Sequence, residues 1–154
     1  MNKFESKLKD YIYRENLDAE HLVFKESCHS VVEAARASNS SPEDFVKNIC
    51  LIGEHGNLIV AIVKGEDRAS TTKIGKVLNC LPPRSATPDE ILDKTGYPCG
   101  GVPSFGYSAQ FIIDPKVLEK KVVYTGGGSP NSLVRISPVV LQEANNALIA
   151  IIKK

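Results

Sequence analysis

Apolar residues recur along the chain with two different periods. Residues 2–15 place them three and four positions apart among lysines and glutamates, which predicts an amphipathic surface helix. Residues 45–52 and 58–64 carry Val and Ile at successive positions, which predicts two strands buried on both faces. The polar stretch 54–57 between them predicts a hairpin turn. A buried pair of strands therefore lies at the centre of the expected fold.

Further elements are expected on both sides of this pair. A hydroxyl side chain stands at the expected start of each later helix: Ser30, Ser70 or Thr71, Thr87 and Ser137. Shorter strands are expected over residues 21–28, 81–86, 107–113, 122–125 and 133–136. The last helix is expected to carry Leu148 and Ile151 on its apolar side. This order predicts an α/β fold of the α+β type, in which helices flank a curled, barrel-like, mixed and largely antiparallel sheet.

The composition is that of one soluble globular domain spanning residues 1–154. Hydrophobic residues make up 42% of the chain and charged residues 24%, which are ordinary values for such a domain. The longest apolar runs, 58–63 and 147–152, are too short to cross a bilayer, and the first residues lack the apolar segment of a secretory signal. We therefore expect a cytoplasmic protein without a membrane partner.

Charge and cysteine content argue against several classes of function. A net charge of +1 does not favour a protein that wraps a long nucleic acid, although it allows one that grips a short single-stranded end. The four cysteines are far apart and form no Cys-x-x-Cys pair, which is typical of a reducing compartment. The side chains of neighbouring Cys28 and His29 diverge on a helix or strand, so no metal site is expected. The sequence also has no Walker loop and no dinucleotide fingerprint, so no cofactor is expected.

Residues 96–106 contain four glycines and two prolines, which argues against a regular helix or a central strand. Such a loop is either a structural turn or a rigid array of backbone N–H groups. In the second case the N–H groups bind a phosphate or the developing oxyanion of an ester under attack. A second glycine-rich loop, 126–131, follows a later strand. The two loops form a concave site if the sheet brings them together.

Two side chains in or near these elements are candidates for chemistry. Lys47 lies inside an otherwise apolar strand, so its ammonium either reaches solvent from a sheet edge or points into a cavity as a fixed positive charge. Cys99 lies in the first glycine loop, where it is either a structural residue or a thiol nucleophile. No neighbouring residue in the sequence supplies a base for that thiol, and the histidines show no pairing with a nucleophile.

Several motifs stand in a specific order along the chain. They are Ser-Pro-Glu-Asp-Phe-Val-Lys ending at Lys47, Thr-Pro-Asp-Glu at 87–90, Gly-Tyr-Pro-Cys-Gly-Gly-Val-Pro-Ser-Phe-Gly at 96–106, and Val-Tyr-Thr-Gly-Gly-Gly ending at Gly128. This order resembles the YbaK/ProX family of aminoacyl-tRNA deacylases, which also occurs as the editing insertion domain of bacterial prolyl-tRNA synthetases. The resemblance covers about residues 28–150, and the first helix and strand, 1–27, match it less closely.

The resemblance implies hydrolysis of a mischarged tRNA in trans, without a cofactor. The implied partner is the tRNA 3′ acceptor end, with an aminoacyl-tRNA synthetase as a candidate second partner. Lys47 takes the place of the family's catalytic lysine. The family loop usually reads Gly-Gly-Val-Pro-Pro-Phe-Gly, whereas this chain has Ser104 at the second proline. It also has Asn48 where a threonine often follows the lysine, and these two departures leave the amino-acid specificity open.

An aminoacyl ester is already activated, so its hydrolysis needs positioning and charge stabilisation more than a strong base. On this hypothesis Lys47 holds the terminal phosphate or adenosine, while Gly100 and Gly101 donate backbone N–H groups to the oxyanion. A water or the neighbouring ribose hydroxyl attacks the ester of a small amino acid, such as Ala or Cys, on tRNA-Pro or a related tRNA. The remaining candidate contacts are Gly126, Gly127 and Gly128 around the adenosine, and Val102, Pro103, Ser104 and Phe105 around the amino-acid pocket.

Two other classes of function are also compatible with the sequence. A non-catalytic binding module would use the same cleft to hold a tRNA 3′ end or a nucleotide, and it would protect the ester. A thiol hydrolase built on Cys99 would instead lose activity to an alkylating reagent.

Overall fold

Helices and strands follow each other along the computed structural model, which describes residues 1–28 and 30–154. His29 therefore lies outside the described residues. The helices are α1 (Lys3–Arg14), α2 (Val31–Ser38), α3 (Thr71–Leu78), α4 (Pro88–Thr95) and α5 (Pro138–Asn145). The strands are β1 (Ala19–Val23), β2 (Val46–Ile52), β3 (Leu58–Lys64), β4 (Arg84–Ser85), β5 (Gln110–Ile113), β6 (Val123–Gly126), β7 (Ser132–Ile136) and β8 (Leu148–Ile149). Among the described residues, no helix has the length and apolar character that a membrane crossing requires.

The helices begin where the hydroxyl residues predicted them to begin. The side chains of Ser30, Ser70 and Ser137 each accept a hydrogen bond from the backbone N–H three residues further on. Thr87 and Glu90 form a reciprocal capping box at the start of α4. These signals act within one turn of helix, which is why the sequence alone predicts them.

The strands form two sheets among the described residues. The larger has the order β4-β2-β3-β5-β8 and the smaller the order β1-β7-β6. Pairing is parallel between β3 and β5 and between β5 and β8, and antiparallel elsewhere. The mixed, largely antiparallel α/β fold is thus confirmed, but the single barrel-like sheet is not present. The two sheets meet at an isolated bridge from Phe45, directly before β2, to Tyr124 of β6. Beyond it, the Asn48 side chain joins β2 to Thr125 of β6 and to the Val102 carbonyl.

β3 runs through the centre of the larger sheet and is buried over its whole length. Val60 and Ile62 pack with Val134 of β7 in the core between the two sheets. Ile59 on the opposite face of β3 packs with Ile74 of α3. The apolar residues at successive positions predicted burial on both faces of β2 and β3. This is confirmed for β3, whereas Lys47, Asn48 and Ile49 of β2 are only half-buried.

The C-terminal helix is shorter than predicted. α5 ends at Asn145, because Asn146 adopts a left-handed backbone conformation with φ 53°. Leu148 lies instead in β8 beside Ile112 of β5, and Ile151 is exposed. Over so short a stretch the apolar spacing fits either a helix or a strand. The free edge of β5 decides between them by offering backbone hydrogen bonds.

Candidate active site

A cavity of about 230 Å³ lies beside the first half of β2. β4 pairs with β2 at Leu51 and Ile52, so the earlier residues of β2 present an open edge. β6 and the glycine loop 96–106 lie on the other side of this gap. The described residues that line it are Cys28, Ser30, Val31, Ala34, Phe45, Val46, Lys47, Asn48, Cys50, Ile91, Cys99, Gly100, Val102, Tyr124, Thr125, Gly126, Ser132 and Leu133.

Lys47 is the one charged residue among the described lining residues. Phe45 lies in extended conformation directly before β2 and two positions before Lys47, so both side chains point to the same face. The Lys47 Nζ donates a hydrogen bond to the main-chain carbonyl of Asp67 at 3.0 Å. This bond orients the ammonium and uses one of its three donors. Lys47 and Gly100 therefore border the same cavity, as the sequence hypothesis requires.

The glycine loop contributes Gly100 to the mouth of the cavity. Gly100 is exposed and has φ 92°, a conformation that residues with a side chain rarely adopt. The neighbouring Gly101 N–H donates to the Pro98 carbonyl at 2.9 Å and closes a turn. A Cβ at Gly101 would lie 2.6 Å from the carbonyl carbon of Gly128. Gly101 thus lets the two glycine loops touch, and its N–H is already engaged within the protein.

The second glycine loop reaches the cavity through Gly126, whereas Gly127 and Gly128 are buried and do not line it. A Cβ at Gly126 would lie 2.7 Å from the carbonyl carbon of Val102. The Gly128 N–H donates to the Gly101 carbonyl at 2.8 Å. The two glycine loops are therefore in contact. Gly128 belongs to this packing, and neither Gly127 nor Gly128 lines the cavity.

A buried hydrogen-bond network ties the glycine loop to β2 and β6. The Ser104 Oγ donates to Asn48 Oδ1 at 2.6 Å and lies 2.7 Å from Thr125 Oγ1. The Asn48 Nδ2 donates to Thr125 Oγ1 at 2.8 Å and to the Val102 carbonyl at 3.0 Å. Ser104 is completely buried, so its hydroxyl is engaged in this network and not open to the cavity. The two departures from the family pattern, Asn48 and Ser104, are thus direct partners.

The other residues predicted around the amino-acid pocket divide into two groups. Val102 lines the cavity, whereas Pro103 and Phe105 do not. The Pro103 carbonyl accepts a hydrogen bond from the Tyr107 hydroxyl at 2.7 Å. The buried Phe105 ring stacks on Tyr11 of α1 with ring centroids 5.9 Å apart. Pro103 and Phe105 therefore stabilise the glycine loop through contacts that lie outside the cavity.

Sequence reasoning missed the residues that α2 and β6 supply. Val31 and Ala34 line the cavity from α2, and Tyr124 and Thr125 line it from β6. A threonine directly before a glycine triplet, in a buried strand, is a signal that points to Thr125. Val31 and Ala34 are ordinary apolar residues of a helix, and no local pattern distinguishes them.

Cys28, Cys50 and Cys99 all line the cavity. Burial raises the pKa of the Cys28 thiol and of the Cys50 thiol to about 11. Both thiols therefore stay protonated at neutral pH and are poor nucleophiles. Cys99 is exposed at the mouth, and the described lining residues include no carboxylate or imidazole that would act as its base. In the part of the chain that the structure describes, no three metal-ligating side chains cluster together.

Comparison with known sequences points to one family. The sequence profile of the aminoacyl-tRNA editing domain matches residues 25–144. An uncharacterised protein of Bacillus subtilis, YwhH, is 26% identical over 122 residues, which are 78% of this chain and 77% of that protein. A proline–tRNA ligase of Thermotoga neapolitana is 24% identical over 98 residues, which are 64% of this chain but 17% of the ligase.

Solved structures agree with the sequence comparison. A hypothetical protein with 29% identity superposes with a TM-score of 0.88 over 96% of this chain and 99% of its own. A protein proposed to be a trans-editing enzyme for prolyl-tRNA synthetase has 25% identity and a TM-score of 0.92, covering 100% of this chain and 99% of its own. These matches confirm the resemblance drawn from the motifs. The chain therefore belongs to the aminoacyl-tRNA editing domain family, and its enzyme class is that of the aminoacyl-tRNA deacylases.

Proposed function

We propose that this protein acts in trans and hydrolyses the ester that joins a small amino acid, such as Ala or Cys, to the 3′-terminal adenosine of tRNA-Pro or a related tRNA. The observation that carries the proposal is that Lys47 and Gly100 border one cavity at the open edge of β2. The likeness to a protein proposed to be a trans-editing enzyme, over the whole length of both chains, supports it.

The size of the cavity supports a small amino acid. Its volume of about 230 Å³ lies below the roughly 300–1,000 Å³ of sites for drug-sized ligands. Phe45, Val102 and Leu133 provide the apolar wall, and Gly126 packs directly against the Val102 backbone in that wall. An aminoacyl group with a short side chain fits inside, with the adenosine at the mouth.

The proposed reaction relies on positioning and charge. The Lys47 ammonium binds the phosphate or ribose of the terminal nucleotide, and the Gly100 N–H faces the ester carbonyl. A water attacks the carbonyl carbon while the neighbouring ribose hydroxyl relays its proton, and the Gly100 N–H stabilises the resulting oxyanion. Collapse of this intermediate breaks the bond to the ribose oxygen, which takes up the proton. Because the Gly101 N–H is bound to Pro98, the oxyanion role is assigned to Gly100.

The first test replaces Lys47 with alanine. We expect deacylation of mischarged tRNA to fall by about 100-fold or more, since loss of the contact that positions the ester against Gly100 costs roughly that much. The matched control is Lys76→Ala, which removes an exposed lysine of α3 that does not line the cavity. Thermal unfolding of both variants checks that the fold is intact. A folded Lys47→Ala protein that works at the wild-type rate would refute the assignment.

A binding module is the second candidate, and the engaged Gly101 N–H together with the lack of a base among the described lining residues favours it. The wild-type protein is incubated with tRNA charged with Ala, Cys, Ser or Pro. Faster hydrolysis of one of these esters supports the deacylase. Slower hydrolysis than in buffer, through protection of the ester, supports the binding module.

A further inference from the structure

A second cavity of about 450 Å³ lies next to the candidate active site and shares Tyr124 with it. Three cations line this second cavity, Lys120, Lys121 and Arg135, together with the carboxylates of Asp44 and Glu119. The proposed reaction makes no use of these residues.

One face of the β6–β7 hairpin connects the two cavities. Gly126 is opposite Leu133 in the antiparallel register, and both line the active-site cavity. Tyr124 is opposite Arg135, and both line the second cavity. Residues two apart on a strand share a face and lie about 6.6 Å apart. The second cavity therefore begins one residue pair along the hairpin from Gly126 and Leu133, at Tyr124, which lines both cavities.

The charges in the second cavity leave cations available for an anion. Lys120 forms an ion pair with Asp44 at 2.9 Å, and its hydrogen bond lowers the pKa of that carboxyl, so the pair stays ionised. Lys121 and Arg135 are exposed and form no ion pair with any described residue. Glu20 of β1 is opposite Arg135 in the register and is not paired with it.

Tyr124 adds an aromatic surface between the two cavities. Its ring stacks on Phe45 with centroids 5.0 Å apart and planes inclined by 22°, and the residue is half-buried. An aromatic ring held rigidly beside cations is the arrangement that binds single-stranded nucleic acid, because bases stack on the ring and the cations bind the phosphates.

We propose that the second cavity holds the nucleotides that precede the terminal adenosine of a single-stranded RNA 3′ end. Tyr124 stacks against a base, and Lys121 and Arg135 bind the phosphates on either side of it. This inference rests on the proposed function, because it assumes that the terminal nucleotide occupies the mouth of the active-site cavity.

The test measures binding of a short, fluorescently labelled single-stranded RNA ending in CCA by fluorescence anisotropy. Tyr124→Ala is expected to weaken binding roughly 5- to 100-fold, as for loss of one stacked base. Tyr124→Phe keeps the ring and is expected to bind within about twofold of wild type. Arg135→Gln and Lys121→Gln are each expected to lower the slope of log K against log salt concentration by about 0.7. Lys76→Gln on α3 is the control.

The results separate this inference from the proposed function. Wild-type protein that binds the RNA but hydrolyses no aminoacyl-tRNA, with binding weakened in Tyr124→Ala and the salt slope lowered in Arg135→Gln and Lys121→Gln, supports the inference and refutes the function. Active protein whose RNA affinity is the same in Tyr124→Ala, Arg135→Gln and Lys121→Gln refutes the inference and leaves the function standing. If Tyr124→Ala does not fold, the two exposed cation variants decide, and an unchanged salt slope in both overturns the proposal.

Discussion

At the scale of single residues, the site depends on two glycines at which backbone meets backbone. Gly101 lies against Gly128, and Gly126 lies against the carbonyl group of Val102. Gly126 does not have a positive φ, so its requirement for glycine comes from lack of space and not from backbone conformation. Gly56 is the opposite case, with φ 81° and open space around it.

This contrast predicts the effect of adding a methyl group at each position. Gly126→Ala must displace the Val102 backbone, and overpacking of this kind costs roughly 1–3 kcal/mol of unfolding free energy, occasionally more. Gly56→Ala meets no neighbour and adds left-handed strain of about 1–2 kcal/mol. Urea unfolding measures both, and deacylation is expected to fall in Gly126→Ala alone because that methyl group moves the cavity wall. Equal activity in the two variants would show that the loop contact does not shape the site.

A second prediction at this scale concerns the pair formed by Asn48 and Ser104. Ser104→Ala leaves the half-buried Asn48 Oδ1 without its hydroxyl donor, which costs about 1 kcal/mol of unfolding free energy. Thr125→Val removes the other hydroxyl of the network at a similar cost. Because the two hydroxyl groups share partners, the double variant is expected to depart from additivity by roughly 0.5–3 kcal/mol. Additive urea-unfolding energies would mean that the three side chains do not act as a unit.

At the scale of elements, the position of α4 fixes where the glycine loop 96–106 begins. The loop follows α4 directly, and Gly96 ends the helix in a left-handed conformation. Glu90 both closes the capping box with Thr87 and receives two hydrogen bonds of 2.8 Å from Arg84 of β4. One carboxylate therefore joins the start of α4 to the edge of the larger sheet.

This arrangement predicts a pH dependence. The hydrogen bond from Arg84, followed by the bond from the Thr87 backbone, lowers the pKa of Glu90 from its ordinary value of 4.5 to about 2. A lowered pKa in the folded state stabilises the fold above the unfolded value, and this stabilisation is lost as the pH falls from about 4.5 towards 2. Glu90→Gln is therefore expected to unfold at a lower temperature than wild type at pH 7. The difference in unfolding temperature between the two proteins should disappear as the pH falls from about 4.5 towards 2. A difference that does not depend on pH would show that the ionised carboxylate is not its cause.

At the scale of the whole molecule, α1 is joined to the site although it lies outside the residues that the family profile matches, 25–144. Leu8 is completely buried in the core between the sheets. Tyr11 stacks on Phe105 of the glycine loop, and a Cβ at Gly128 would lie 2.8 Å from the Phe4 carbonyl oxygen. The first helix thus covers the outer side of both glycine loops.

We therefore predict that residues 1–154 unfold as one cooperative unit. Leu8→Ala is expected to lower the unfolding free energy by about 2–5 kcal/mol, as for other fully buried leucines. The whole transition should shift, with far-UV and tyrosine fluorescence signals still coinciding. A separate early transition, with the rest of the protein unaffected, would show that α1 is an independent attachment.

Much of the element order follows from local chemistry and could be predicted from the sequence. A serine or threonine cap satisfies N–H groups within one helical turn, as Thr87 does for α4. The turn at 53–57 is closed by the hydrogen bond from Gly53 N–H to the Asn57 carbonyl, which joins neighbours in the chain. The order of the motifs was specific enough to indicate the family.

Contacts between distant residues were decided by the tertiary structure. The free edge of β5 made Leu148 part of a strand and not of a helix. The fold also placed the Asn48 Oδ1 within 2.6 Å of the Ser104 Oγ, 56 positions further along the chain. The sequence by itself thus determined most of the elements and the first candidates for chemistry, Lys47 and the two glycine loops, because those depend on neighbours in the chain. Which candidates border the cavity depends on how β2, β6 and the two glycine loops pack, and only the folded chain shows that.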